Sequence, residues 1–263
     1  MTVTALLRSA AFLFGVCAFG VGCAARTEPV TGDPQAVTTT PEPTPATPPA
    51  PSAPTSNLAD ASIFDVKSPN SRFGVGDGVH VSGTGVRVMG ISGSTLYLQE
   101  AGDDGYCENG IAAVAYRAIA VKTNAPSAFA IGQRIELTGV VAVEEGRRII
   151  ANAVVTPVEG DVRPYKPHCE RDASALLRPE LESVFAITAG TTDGVGDPSS
   201  SEWLLATCFG DTLRVGTAMT KYEGWSASWH SVLGIVVGGG ASVRLEPRGL
   251  EDIHGQQHDD VCL

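Results

Sequence analysis

Short runs in which apolar and polar residues alternate make up the chain from Ser62 onward. Such alternation is typical of strands that bury one face, and no run of ten or more residues has helical spacing. The pattern in the first half predicts five strands, at 79–88 (bent at the glycines of 83–85), 96–99, 111–116, 134–143 and 147–155. Five short strands without a large helix predict an all-β fold, a small closed or nearly closed barrel.

The same order of features recurs 95 residues further along the chain. At this offset 139–141 matches 234–236 and 148–150 matches 243–245, and upstream of them 96–99 resembles 203–206. A period of this length suits a duplicated domain and is too long for a solenoid unit. We therefore predict two domains, at 60–163 and 164–263, with no flexible linker between them. The alternative is a chance likeness between valine-rich strands.

The N-terminus has the features of an export signal. One cation, Arg8, precedes an apolar run at 10–22 that is too short to span a membrane as a helix. The run ends in Gly20-Val21-Gly22-Cys23, which resembles the lipobox of bacterial lipoproteins, although that family prefers Leu where Gly20 stands. The resemblance implies a signal peptide at 1–22 and acylation of Cys23. The alternative is an ordinary cleaved signal with a chance cysteine.

A proline- and threonine-rich segment follows the predicted lipidation site. Residues 24–59 hold nine of the 17 prolines and eight threonines, so we expect residues 23–59 to be a disordered tether. Fully extended, it would reach on the order of 110 Å at about 3.1 Å per residue. The location implied is the bacterial cell envelope, with a lipid anchor. By resemblance to lipoprotein sorting, Ala24 implies the outer membrane where the envelope has one.

Three segments carry a resemblance to a known fold family: VGDGVHVSG (75–83), LYLQE (96–100) and IGQRIELTG (131–139). They are similar to the OB-fold modules attached to secreted bacterial nucleases and envelope lipoproteins. The resemblance covers about residues 62–158 and returns faintly in the second half. It implies two tandem five-stranded OB-like barrels, the second divergent. No nuclease motif accompanies it, so it implies a fold and not a chemistry.

Four cysteines would remain after export: Cys107, Cys169, Cys208 and Cys262. An even number in an exported chain predicts two disulfides, with three possible connectivities. Since the repeat gives each domain one cysteine after its second strand and one near its end, we predict Cys107–Cys169 and Cys208–Cys262. The competing interpretation is a metal site that uses Cys169 or Cys262 with nearby histidines.

Neither the charge nor the motifs predict an enzyme. The formal net charge of −11 argues against a protein whose main task is to hold phosphate backbones. His254 and His258 lie four residues apart, but they lack the adjacent Glu of a zinc protease and belong to a polar tail. The acidic glycine turns lack the spacing of a calcium loop. We predict no catalytic residues, no cofactor and no metal.

The candidate ligand face lies on the second and third strands of the first domain, where OB folds bind their ligands. Alternation directs Leu96 and Leu98 inward and Tyr97 and Gln99 outward, and Arg117 ends the predicted third strand. We therefore predict that Tyr97, Gln99 and Arg117 share a face; ordinary surface residues are the alternative. A small basic spot, 147–148, lies on the fifth strand.

The second domain holds all three tryptophans. Trp225 and Trp229 lie in a Gly/Ser-rich stretch before the fourth strand, where an OB fold places either a plug of the barrel or a binding loop. We hypothesise that one of them is buried and the other exposed, since exposed aromatic side chains suit sugar stacking or a protein interface.

Two functional classes remain open. The first is a membrane-tethered, non-catalytic module that binds a protein or glycan partner in the envelope. The alternative is an accessory nucleic-acid-binding lipoprotein, for which the family resemblance is the support. The first domain has nine basic and twelve acidic residues and the second has seven and fourteen, so neither resembles an electrostatic funnel for nucleic acid.

Overall fold

A computed structural model describes residues 58–83, 85–100, 110–170, 172–192, 202–207, 210–221, 229–239 and 242–255. These residues all belong to one unit, Ala50–Leu263. The predicted signal peptide, Cys23 and most of the tether lie outside the described residues, and so do Cys107, Cys208, Cys262 and Trp225.

The described part of the chain is mostly β, as predicted. The first half contributes β1 (Ala59–Ala61), β2 (Gly78–Val81), β3 (Arg87–Ser92), β4 (Thr95–Gln99), β5 (Ala118–Lys122), β6 (Ile135–Glu144) and β7 (Arg147–Pro157). The second half contributes β8 (His168–Cys169), β9 (Phe185–Thr192), β10 (Glu202–Thr207), β11 (Thr212–Gly216), β12 (Trp229–Val237), β13 (Arg244–Glu246) and β14 (Ile253–His254).

The helices are short. Among the described residues, two are α-helical, α1 (Ile63–Lys67) and α2 (Ala173–Leu176). Four single turns of the described part are 3₁₀-helical: Ile111–Ala113, Pro126–Ala128, Pro179–Leu181 and Leu250–Asp252. Helix α1 begins with a capping box between Ser62 and Asp65, and it buries Ile63 and Val66 in the core of the first sheet.

Five strands of the second half close into a barrel. Neighbouring strands pair in the order β9-β10-β11-β13-β12, and β12 pairs back to β9 from Trp229 opposite Thr191 to Ile235 opposite Phe185. The β11–β13 pair is parallel and the other four pairs are antiparallel. A closed ring of strands leaves no unpaired edge within it.

The first sheet runs in the order β1-β2-β6-β7-β5-β4-β3. Its β5–β7 pair is parallel, at the place that β11–β13 occupies in the second sheet. Its last strand, β3, approaches the start of β6 through the bridge between Arg87 and Arg134. The segments that match in the sequence repeat therefore lie in strands that hold equivalent places in the two sheets.

The predicted third strand, 111–116, is wrong. Ile111–Ala113 form a 3₁₀ turn. The strand that follows β4 along the chain is β5, which begins at Ala118. Short apolar runs do not distinguish a strand from a buried turn by periodicity alone. Here Val114 is buried in the core cluster of the second half, against residues such as Leu176 and Leu181. The run is apolar because it packs against the other sheet.

The β6–β7 hairpin turns where the sequence predicted, at 144–146. Glu145 and Gly146 both have positive φ, 51° and 78°, as a two-residue hairpin turn with the correct twist requires. This turn brings Arg147 and Arg148 to the beginning of β7.

A glycine in each copy of the repeat allows two strands to approach closely. A Cβ added to Gly139 would collide with Ile150, and one added to Gly234 would lie 2.6 Å from the carbonyl oxygen of Glu246. Gly139 lies in β6 and faces β7, and Gly234 lies in β12 and faces β13. The repeated Gly-Val/Ile-Val sequence therefore reflects packing.

We predict that Gly234→Ala lowers the free energy of unfolding by about 1–3 kcal/mol, because the new methyl group would overlap the backbone at Glu246. Urea denaturation of the variant measures the loss. The matched control is Gly110→Ala, since no atom lies within 4 Å of a Cβ at Gly110. Equal stability of the two variants would show that the close approach at Gly234 relaxes without cost.

Candidate functional site: a cleft at the junction of the two sheets

The predicted ligand face of β4 is buried. Leu96 and Leu98 lie in the core of the first sheet, and Tyr97 and Gln99 lie on the opposite face, as alternation requires. The exposed fractions are nevertheless 7% for Tyr97 and 0% for Gln99. The second sheet covers them, and the Gln99 side-chain oxygen accepts a 3.1 Å hydrogen bond from the backbone N–H of Phe185. This face is therefore an internal contact.

An apolar cluster fills the contact between the sheets. Met89, Tyr97, Ala120 and Ile149 come from the first sheet, and Phe185, Ile235 and Val237 come from the second. The approach is close, because a Cβ on Gly90 would lie 2.8 Å from a side-chain carbon of Ile235. Burial raises the pKa of Tyr97 to about 12, so its phenol stays neutral over the physiological range.

Arg248 lies at the edge of the apolar contact between the sheets. The Arg248 guanidinium lies 3.7 Å from the centre of the Phe185 ring and donates a hydrogen bond to the carbonyl oxygen of Met89. Asp252 holds the guanidinium through contacts of 2.7 Å to Nε and Nη2. Arg248 thus packs on the second sheet by a cation–π contact and connects it to β3 by the hydrogen bond to Met89.

Arg117 does not share a face with Tyr97 and Gln99. Its side chain lies near α1, where the guanidinium is 5.5 Å from the Phe64 ring and 3.3 Å from Glu100 Oε1. Glu100 also accepts hydrogen bonds from the backbone N–H groups of Ile63 and Phe64, at the start of α1. Burial raises the pKa of Glu100.

Of the remaining predicted site residues, the described part of the chain includes Trp229 and Cys169. Trp229 begins β12, and Trp225 lies outside the described residues. Cys169 ends β8 opposite Ile187, whereas the other cysteines of the two predicted disulfides lie outside the described part, so both pairings stay predictions. Within the described part, no group of three or more His, Cys, Asp or Glu side chains is placed to hold a metal ion.

An open cleft of about 520 Å³ lies where the two sheets meet. The end of α1 and the β6–β7 turn form one side, and the 3₁₀ turn at Pro179 and the β12–β13 turn form the other. Twelve residues line it: Lys67, Ser68, Pro69, Tyr116, Glu145, Gly146, Arg147, Arg148, Pro179, Glu182, Gly238 and Gly239. Both halves of the chain supply walls, so the cleft exists only when the two sheets are docked.

A buried ion pair forms the floor of the cleft. Lys67 Nζ lies 2.7 Å from Glu182 Oε2, and each side chain is 6% exposed. The same ammonium group donates to the carbonyl oxygens of Ala118 and Glu182. Desolvation lowers the pKa of Lys67, while the Glu182 carboxylate acts in the opposite direction. Three oxygen atoms surround the ammonium group, and two of them belong to Glu182, so the ion pair joins the two halves of the fold.

Arg147 bridges the floor and the rim. Its Nη1 lies 3.7 Å from Glu182 Oε1, and its Nη2 donates a 2.8 Å hydrogen bond to Glu145 Oε2. The Arg147 side chain is 13% exposed, whereas that of Glu145 is 75% exposed. Glu145 is therefore the partner that solvent or a ligand can most easily replace.

Arg148 leaves a positive charge in the cleft. Its Nη1 donates 2.8 Å hydrogen bonds to the carbonyl oxygens of Val66 and Phe73. Among the described residues, no carboxylate forms an ion pair with it. Lys67 and Arg147 face two carboxylates, so Arg148 makes the cleft locally positive within a protein of net charge −11.

Tyr116 adds an aromatic wall. Its backbone is in the left-handed region at φ 58°, which is unusual for a bulky residue. A 2.8 Å hydrogen bond from its N–H to the carbonyl oxygen of Glu180, in the second half, holds it there. The Tyr116 ring meets the half-exposed Phe64 ring edge to face, with centroids 6.4 Å apart. The two rings form an aromatic corner, of which Tyr116 is the ring that lines the cleft.

The sequence indicated only part of this site. The adjacent arginines of the basic spot were visible, but Lys67 and Glu182 lie 115 residues apart and no spacing links them. Tyr116 belonged to the run that was misread as a strand. The available signal for Lys67 was its place at the end of a short helix that also carries the apolar Ile63 and Val66.

No protein-family model matches the chain, and no curated protein is significantly similar to it. Within the described residues, no helix is both long and apolar enough to cross a membrane.

We predict that Glu182→Gln lowers the free energy of unfolding by about 3–5 kcal/mol, because it leaves the buried Lys67 ammonium without its carboxylate. Adding Lys67→Met should recover part of the loss, since no buried charge then remains. Urea denaturation of both variants measures this.

The matched control is Glu144→Gln, whose partner Lys122 is 3.0 Å away and 34% exposed. Exposed ion pairs contribute about 0–1 kcal/mol, so this variant should lose little stability. If Glu182→Gln lost no more than the control, the ion pair would not hold the two sheets together.

Proposed function

We propose that both sheets are OB-like barrels arranged in tandem. The first sheet repeats the strand order of the closed barrel, including its parallel pair. Backbone hydrogen bonds from Ile135 to Val86, from Val88 to Gln133 and from Gly132 to Val88 support closure at its open edge. Tyr165, in the connection between the halves, donates hydrogen bonds to the carbonyl oxygens of Gly85 and Glu100 and keeps the connection on the first sheet.

We further propose that the protein is a non-catalytic binding module of the bacterial envelope, tethered through acylated Cys23, and that the cleft binds its protein or glycan partner. The observation that carries this proposal is the open cleft, with an arginine that has no carboxylate partner among the described residues. A volume of about 520 Å³ lies within the range of roughly 300–1,000 Å³ typical of ligand pockets.

The nucleic-acid alternative has no comparable support. Binding of single strands needs aromatic side chains that stack on successive bases in a positive groove. Tyr97 and Gln99 lie on the face that would present such groups, and the second sheet buries both. Nucleic acid is therefore one of the partner classes that the crosslinking experiment below distinguishes.

We predict that Cys23→Ser moves the protein from the membrane fraction to the soluble fraction, because acyl chains contribute about 0.8 kcal/mol per buried CH₂ to membrane binding. Fractionation of cells that produce the full chain measures this. The control is Cys17→Ser, which removes a cysteine of the signal peptide and should leave the protein on the membrane. If Cys23→Ser stayed membrane-bound, Cys23 would not be the anchor.

We predict that a photo-crosslinking residue at Pro69, at the cleft wall, captures an envelope component in cells that produce the full chain. The same residue at Val154, which is exposed on β7 outside the cleft, should not capture it. Sensitivity of the product to protease, glycosidase or nuclease identifies its class. A product from both positions, or none from Pro69, would contradict a binding role for the cleft, and a nuclease-sensitive product would establish the alternative.

A further inference from the structure

Two arginine side chains and an aromatic ring lie together in the cleft. Arg148 offers a guanidinium whose charge no described carboxylate neutralises, and Arg147 is held on its solvent side only by the exposed Glu145. An arginine guanidinium binds a carboxylate through two parallel hydrogen bonds. The cationic side of the cleft therefore favours a carboxylate.

The other walls favour a sugar ring over an extended peptide. The Tyr116 ring lines the cleft, and the apolar face of a pyranose ring packs well on an aromatic surface. A peptide carboxylate would use the arginines but has no need of a flat aromatic surface beside them.

We propose that the cleft recognises a carboxylate-bearing saccharide, in which Arg147 and Arg148 bind a uronate carboxylate and Tyr116 packs on the sugar ring. This inference rests on the proposed function and specifies its ligand. Because Glu145 competes with the ligand for Arg147, it lowers the affinity of the cleft for that ligand. Neutralising Glu145 should therefore tighten binding.

Fluorescence anisotropy with labelled trimers of galacturonate, glucuronate and mannuronate tests the proposal on the full chain in detergent. We expect at least one trimer to bind, and its methyl ester, with the same ring but no charge, to bind at least about tenfold more weakly. A labelled hexaglutamate peptide should bind more weakly than the trimer. Binding should also weaken as salt is raised.

Variants assign the binding to the cleft. Arg147→Gln and Arg148→Gln should each weaken binding about tenfold or more, and Glu145→Gln should strengthen it about two- to fivefold. Glu145 is exposed, so this variant keeps the test valid even if an arginine variant unfolds. The matched control is Arg214→Gln, an arginine that is 54% exposed on β11, and it should leave affinity unchanged.

Four results would overturn the inference: no binding of any uronate trimer, equal binding of acid and ester, tighter binding of the peptide, or no strengthening by Glu145→Gln. Capture at Pro69 without uronate binding would leave the binding role in place and refute only its ligand. Failure of both would refute the binding role as well.

Discussion

The apolar contact between the two sheets is the interaction on which the rest of the structure depends. Tyr97 and Ile149 on one side meet Phe185 and Ile235 on the other, and burial of such side chains contributes roughly 1.5–3 kcal/mol each. Gly90 leaves room for the Ile235 side chain against the first sheet. Because this contact fixes one sheet against the other, it also fixes the position of every residue that lines the cleft.

Polar groups at the edge of that contact give it a single orientation. Lys67 and Glu182 are buried together, and the desolvation of two charges is repaid only when their geometry is good. Arg147 continues the network from Glu182 to the exposed Glu145. A slip of one sheet over the other would leave these charges buried without partners, so the network specifies the orientation even where it adds little stability.

Alternation and turn chemistry were sufficient to locate most strands, and the Glu145-Gly146 turn followed from its residues. The repeat identified Gly139 and Gly234 as equivalent, and the structure gives both the same packing role. The third strand was misplaced because Val114 is apolar for a contact with the other sheet. Tyr97 and Gln99 faced outward as predicted, but alternation reports which side of a strand a residue occupies and not what covers that side.

By itself, the sequence determined most of the strands, the hairpin turn and the positions of the repeated glycines, since these depend on neighbours a few residues away. Only the tertiary structure decided that the outer face of β4 is an internal contact and that the open cleft lies elsewhere. Lys67 and Glu182 are distant in the chain, and whether each is buried or exposed depends on how two folded sheets meet. That contact is a property of complementary surfaces, which no local pattern of residues encodes.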